Sequence, residues 1–141
     1  MKRLAEFANK AVKDSYGNVR GVGTDLIQVS RLTQMLARNP KYRTKLARRI
    51  LFGDEIVRAS KLKPEQHDLF LARCWATKEA LFKALDNERQ TGFQMVEWGT
   101  VDLVHRKPVI LGPHVKANEE FLVTVTHDGD FVLAIVLRLP R

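Results

Sequence analysis

Two carboxylates, Asp25 and Glu79, stand where an ionised group is costly, and chemistry in this chain is sought there first. The stretch FLARCWATKEALFKAL (Phe70 to Leu85), wound as a helix at ~100° per residue, gathers Leu71, Ala72, Trp75, Ala76 and Phe82 on one apolar arc. Glu79 falls in the middle of that arc, and Lys83 sits one turn further on. Asp25 follows two glycines in an apolar segment and precedes Leu26 and Ile27, so it too is drawn inward. A carboxylate aimed at a core costs several kcal/mol unless a partner compensates it. Two inward acids without an obvious salt-bridge partner invite a hard cation. Magnesium takes one or two carboxylates and shares its other positions between water and phosphate oxygens. Arg73, Lys78 and Lys83, all on the same helix, suit an anionic, phosphate-bearing ligand.

Other chemistries find no support in the pattern. There is no G-x-S-x-G, no Walker-type G-x-x-x-x-G-K-[ST], and no cysteine with a matching histidine. Gly21-Val22-Gly23-Thr24-Asp25 lacks the lysine and third glycine of a nucleotide fingerprint. One cysteine and four scattered histidines show no zinc spacing. Cys74 reads as a buried structural thiol and excludes an internal disulfide. The purely structural alternative is also explicit. Glu79 and Lys83 form an (i, i+4) pair of the favourable order, worth only ~0.2–0.5 kcal/mol, and taken alone they are a helix-surface pair. His127 at a hairpin tip is, by itself, a solvated turn residue.

The elements that must position these groups follow from periodicity and punctuation. Val19 to Val29 reads as a β-rich segment with a flexible Gly21-Val22-Gly23 pivot. Ser30 caps a helix through Arg38, which Asn39-Pro40 ends. Helical runs follow over Tyr42 to Phe52, with Gly53 as the stop, and over Asp54 to Leu62, with Pro64 as punctuation. Asp86 to Gly92 is polar and loop-like. Beyond it lie two strands around a turn at Arg106-Lys107-Pro108, then a hairpin turning at His127-Asp128-Gly129-Asp130. Helices first and antiparallel strands after predict an α+β fold, with helices packed on a mostly antiparallel sheet.

The 141 residues suit one domain, residues 1–141, with residues 1–18 as a basic N-terminal extension. Hydrophobic residues make up 45% of the chain and charged ones 28%, as in globular proteins. No apolar run approaches the ~18 residues that cross a bilayer, so no membrane role is expected. MKRLAEFANKAVK lacks the apolar centre of a secretory signal. It reads as a first helix or a shortened mitochondrial presequence, with Glu6 arguing against the latter, and the compartments expected are mitochondrial matrix or cytoplasm. The formal net charge is +8, and between Arg31 and Lys63 ten Lys or Arg residues face only Asp54 and Glu55. That imbalance predicts an anionic partner, with a solvated helical face as the bland alternative.

Three stretches, GVGTDLIQVSRL, FLARCWATKEALFKAL and VTVTHDGDFVLAIVL, resemble in that order the signature regions of 4′-phosphopantetheinyl transferases. The likeness is to the short holo-acyl-carrier-protein synthase type and covers the chain from about Arg20 onward. The resemblance implies transfer of the phosphopantetheine arm of coenzyme A to a serine of an apo acyl carrier protein, releasing 3′,5′-ADP. It implies that Asp25 and Glu79 hold magnesium, that Lys83 contacts the pyrophosphate, and that Arg73 and Lys78 serve coenzyme A phosphates. His127 matches the histidine of the third region and would lie beside the nucleotide. Catalysis would rest on Glu79, Lys83 and Asp25, with Glu79, directly or through water, or a metal-bound water taking the serine proton. Acidic carrier proteins fit the basic Arg31–Lys63 tract. The same resemblance implies a homotrimer with active sites between subunits.

The chain departs from that pattern where Asp86 to Gly92 replaces a glycine-rich turn, with Asn87 or Gly92 supplying the left-handed geometry. That loop and the basic extension look closer to fungal mitochondrial relatives. The rival class is a small basic nucleic-acid-binding domain, which lacks an aromatic stacking platform and leaves Asp25 and Glu79 unexplained.

Overall fold

A computed structural model describes residues 18–103 and 107–141. Strand β1 (Gly21–Gln28) is followed by four helices, α1 (Val29–Ala37), α2 (Tyr42–Ile50), α3 (Gly53–Ser60) and the long α4 (Pro64–Ala84). A short α5 (Asn87–Gln90) and a single 3₁₀ turn (Met95–Glu97) lead to β2 (Gly99–Leu103) and β3 (Lys107–Leu111). The chain ends in the hairpin β4 (Glu119–Asp128) and β5 (Phe131–Pro140). Both sheets are antiparallel: β5 lies between β1 and β4 in one, and β2 pairs with β3 in the other. This is the expected α+β arrangement, with α4 packed on β1 and β5 and with α1 and α2 packed in turn on α4.

The glycines of β1 are not a pivot. Gly21 and Gly23 lie in regular extended strand and face α4, so close that an added Cβ would overlap the carbonyls of Ala84 and Ala80. Ala76, Ala80 and Ala84, spaced by four, form the matching stripe of small residues on the helix, and Val132, Ala134 and Val136 of β5 continue the floor beneath it. Helix and strand therefore meet backbone to backbone. The opposite face of this sheet is apolar and open: Val22, Leu26, Leu122 and Phe131 are all exposed, Leu26 by 61%.

Several element ends differ from the sequence expectation for local reasons. Val29 opens α1, and Ser30 does not cap it; Asp130 at the hairpin tip accepts from Ser30 N at 2.9 Å and from the Ser30 hydroxyl, and its carbonyl accepts from Val29 N. A side chain a hundred positions away thus does the capping. Gly53 starts α3 instead of stopping α2, because the Glu55 carboxylate accepts from Phe52 N at 2.8 Å and fixes the new helix start. Pro64 is the first residue of α4, where its missing N–H is harmless, so that helix begins six residues before Phe70. Within the expected Asp86–Gly92 loop, Asp86 caps α5 by accepting from Arg89 N, and Gly92, with φ of 75°, supplies the left-handed residue. The hairpin turn is tighter than expected: the return begins at Phe131 as anticipated, but β4 runs on through His127 and Asp128, which pairs with Phe131 around Gly129 and Asp130. Residues 1–17 of the basic extension and Arg106 of the expected β2–β3 turn lie outside the described residues, while Lys107 and Pro108, expected in that turn, begin strand β3.

The close packing yields a sharp expectation. Gly23→Ala places a methyl group against a helix carbonyl that cannot move without displacing α4. It should destabilise the fold by about 3 kcal/mol or more, measured by urea unfolding, since overpacking of this kind exceeds the ordinary cost of an extra methyl.

Candidate active site

Asp25 reaches the site because β1 is the edge of its sheet. Across the register Asp25 opposes Ala134, which opposes Val125, so its side chain shares the helix-facing side of the sheet. At the edge that side opens along the flank of α4, and there Glu79 emerges. Asp25 and Glu79 line one cavity of about 560 Å³, walled on its other sides by Trp75, by Arg31 and Met35 of α1 and by Arg38 just past its end. Fifty-four positions of sequence separate the two acids, and β1 packing against α4 closes the gap.

Glu79 is half-buried and accepts from Trp75 Nε1, one turn earlier, at 3.4 Å. Lys83 turns across to β1 instead of back along its own helix. Its Nζ donates to the Thr24 carbonyl at 2.8 Å and lies 3.6 Å from Asp25 Oδ1. Burial holds the Asp25 carboxyl above the ordinary carboxylate range; the Lys83 ammonium opposes this, and the negative charge of Glu79 adds to it. Two acids therefore share a cavity in which Lys83 stands close to one of them, with the Arg31 and Arg38 guanidiniums on the facing wall. Among the described residues no group of three or more histidines, cysteines or acids is placed to hold a metal. Two carboxylates with open space and incomplete charge compensation nevertheless fit a hard divalent cation that keeps waters and shares phosphate oxygens.

The charge at the centre of the helix's buried face is Lys78, not Glu79. Lys78, expected at a coenzyme A phosphate, is fully enclosed at 0% exposure; it donates to the Ile50 carbonyl and to the Glu55 carboxylate, itself fully enclosed. Burial depresses the Lys78 ammonium while Glu55 supports it. Arg73 is exposed on another face of α4, at a small pocket of about 90 Å³ shared with Arg58 and Val125. His127 is exposed on β4, paired through Val132 to Ile27, which places it two strand spacings, ~10 Å, from β1. One chain brings together Asp25, Glu79 and Lys83 and leaves Arg73, Lys78 and His127 elsewhere. Cys74 is buried, and burial pushes its thiol up to about 12, which leaves it inert.

A family model described as the 4′-phosphopantetheinyl transferase superfamily matches residues 21–136. The chain belongs to that superfamily. A Nitrosococcus oceani holo-[acyl-carrier-protein] synthase is 35% identical over 129 residues, covering 86% of this chain and 80% of that protein. A Schizosaccharomyces pombe protein, provisionally named a holo-[acyl-carrier-protein] synthase, is 28% identical over 127 residues, covering 85% of this chain and 96% of its own. The fold is that of a holo-(acyl-carrier-protein) synthase from Bacillus anthracis, solved in complex with CoA (3′,5′-ADP), with a TM-score of 0.71 at 24% identity over 86% of this chain and 97% of that one.

What a reading of this phosphopantetheinyl transferase's sequence missed are the supports. Glu55 was legible only as a surface counter-charge, although Phe52-x-x-Glu55 is a helix-start spacing and Lys78 needed a partner. Arg89 ties the segment after α4 to β4: its guanidinium donates to Glu119 at 2.6 Å and to Asp86 at 2.9 Å, and draws the Asp86 carboxyl down to about 2. Gln90 Nε2 donates to the Phe82 carbonyl at 2.9 Å and closes the last turn of α4.

The raised Asp25 carboxyl sets a sign for stability. In the unfolded chain this acid ionises in its ordinary range, whereas the folded protein resists ionisation, so stability is lost as pH rises through that range. In metal-free buffer Asp25→Asn should therefore raise the melting temperature slightly at pH 7, and the gain should vanish below pH ~3, where both states are protonated. Thermal melts at the two pH values check it.

Proposed function

We propose that this chain transfers the 4′-phosphopantetheine arm of coenzyme A to a serine of an apo acyl carrier protein, releasing 3′,5′-ADP, with Asp25 and Glu79 holding magnesium. The observation that carries this reading is the convergence of Asp25 and Glu79 at one cavity from elements far apart in sequence, with Lys83 beside Asp25. In support, the Nitrosococcus oceani relative is named a holo-[acyl-carrier-protein] synthase, and the Bacillus anthracis synthase was solved in complex with CoA (3′,5′-ADP).

A divalent cation at Asp25 and Glu79 would neutralise charge on the pyrophosphate oxygens as the serine attacks the β-phosphorus. Lys83, held at the cavity edge by the Thr24 carbonyl, adds a mobile positive charge for the same oxygens. Glu79, anchored by Trp75 on one oxygen, takes the serine proton through a water. Arg31 and Arg38 stand on the cavity wall itself, so an acidic carrier docked on α1 presents its serine where the acids converge. Arg73 and His127 lie off this cavity and serve coenzyme A phosphates from a neighbouring copy. The open apolar face of Val22, Leu26, Leu122 and Phe131 supports self-association, in keeping with a homotrimer.

Incubation with coenzyme A, magnesium and an apo carrier, followed by mass spectrometry of the carrier, tests the activity directly. Glu79→Ala and Asp25→Ala should each lower turnover by about 10³-fold or more while the protein stays folded; near-normal turnover in either removes the metal assignment. Arg31→Glu with Arg38→Glu should slow carrier association roughly tenfold at low ionic strength and less at high. Stopped-flow binding against salt checks this, and an unchanged rate places docking elsewhere.

A further inference from the structure

We propose that the buried Glu55–Lys78 pair is a positioning device that fixes the rotation of α4 and so aims the Glu79 carboxylate into the cavity beside Asp25. The functional weight of Glu79 rests on the reading above; the positioning claim itself concerns only where its side chain points.

The face of α4 that meets the sheet cannot set that rotation sharply. Ala76, Ala80 and Ala84 lie on glycines and on small or β-branched residues of β5, a close but smooth contact with few knobs to index it. Buried positions run from Leu71 to Ala84 around most of the helix, so apolar burial alone favours no single angle sharply. Directed hydrogen bonds do. Lys78 Nζ donates to the Ile50 carbonyl at the end of α2 and to the Glu55 carboxylate of α3. Glu55 in turn accepts from Phe52 N at 2.8 Å, from Thr100 N at 2.9 Å and from the Thr100 hydroxyl at 2.7 Å. Two acceptors outside α4, the Ile50 carbonyl and the Glu55 carboxylate, thereby hold one side chain of α4, three further bonds fix that carboxylate in place, and the next residue is Glu79, ~100° further round.

Ion pairs of this kind contribute little net stability compared with apolar residues of the same size, but they hold geometry. The pair reaches no cavity that holds Asp25 or Glu79, so its effect on the site passes through the helix. Lys78 is thus a positioning residue, and its enclosure is its function.

The test reads Glu79 without metal or substrate. Trp75 bonds Glu79 from one turn earlier on α4 and lines the same cavity against α1, and the chain has only two tryptophans, so the indole N–H resonance of Trp75 in a ¹⁵N-labelled sample reports how the Glu79 face of α4 sits in that cavity. The neutral double variant Glu55→Gln with Lys78→Met should move this resonance and lower kcat roughly 10- to 100-fold, with KM for coenzyme A changed far less. Thr100→Val, which removes one bond to Glu55 and neither charge, should move it the same way by less. If the double variant does not fold, Thr100→Val carries the test alone. A Trp75 resonance unmoved in the folded variants overturns the proposal. A resonance that moves while kcat holds leaves the positioning role standing and removes the catalytic reading of Glu79 instead.

Discussion

Everything at the cavity depends on the backbone of α4 resting on the backbone of β1. Gly21 and Gly23 leave no Cβ between the strand and the carbonyls of Ala80 and Ala84, and the alanine stripe leaves only a methyl on the helix side. At such a separation the short side chain of Asp25, two residues along the strand, reaches the flank of the helix where Glu79 and Lys83 emerge. With a wider spacing, as alanine or serine on β1 would impose, two acids on different elements could not share one cavity. The glycines serve reach, not flexibility.

The carboxylates of this protein divide by what surrounds them. Glu55 is fully enclosed, yet its oxygens take two backbone N–H groups, a hydroxyl and an ammonium, so its burial is compensated. Glu119 likewise receives the Arg89 guanidinium and the Lys116 N–H. Asp25 and Glu79 have less: one lysine at 3.6 Å and the Leu26 backbone for the first, and an indole N–H at 3.4 Å for the second. The fold spends its strong donors on carboxylates that hold helices in place and leaves under-served the two that face open space. Such incomplete satisfaction costs stability and is characteristic of groups waiting for a ligand.

The sequence made the helices, the terminal hairpin and the pair Asp25 and Glu79 legible, because apolar periodicity and unpartnered acids are local signals. It misassigned the buried charge. Lys78 and Glu79 are adjacent, only ~100° apart on the helix, and periodicity alone could not say which of them the core would enclose; that was settled by Glu55, twenty-three positions earlier and on another helix. The capping of α1 by Asp130 was hidden for the same reason, since Ser30 stood at a plausible cap position and the true acceptor lay a hundred residues on. The glycines of β1 looked like a hinge because close approach of a helix and flexibility leave the same mark on a sequence. Arg73 was singled out by its place on the helix with Lys78 and Lys83, and His127 by resemblance, and a single chain does not bring either to the cavity.

The positive charge of the protein is not all of one use. Arg43 is bound to Asp68 and Arg58 to the Thr100 carbonyl, so both are committed to holding α2 and α3 in place. Arg31 and Arg38 are exposed and line the same cavity as the two acids. At physiological ionic strength screening cuts in over ~8 Å, so basic residues farther from the cavity add to the general attraction of an acidic partner without orienting it. The two arginines stand on the wall of the cavity itself, and a charge that close to a proposed docking point would set register as well as rate. Their helix is in turn held by the tip of the β4–β5 hairpin through Asp130, whose carboxyl the Ser30 hydrogen bonds keep below its ordinary range, so that contact stays ionised throughout the neutral range. The two arginines, where carrier docking is proposed, and the acid pair are thus carried by one sheet, β1 presenting Asp25 and the β4–β5 hairpin anchoring α1 through Asp130, so the fold fixes the placement of α1 against the cavity.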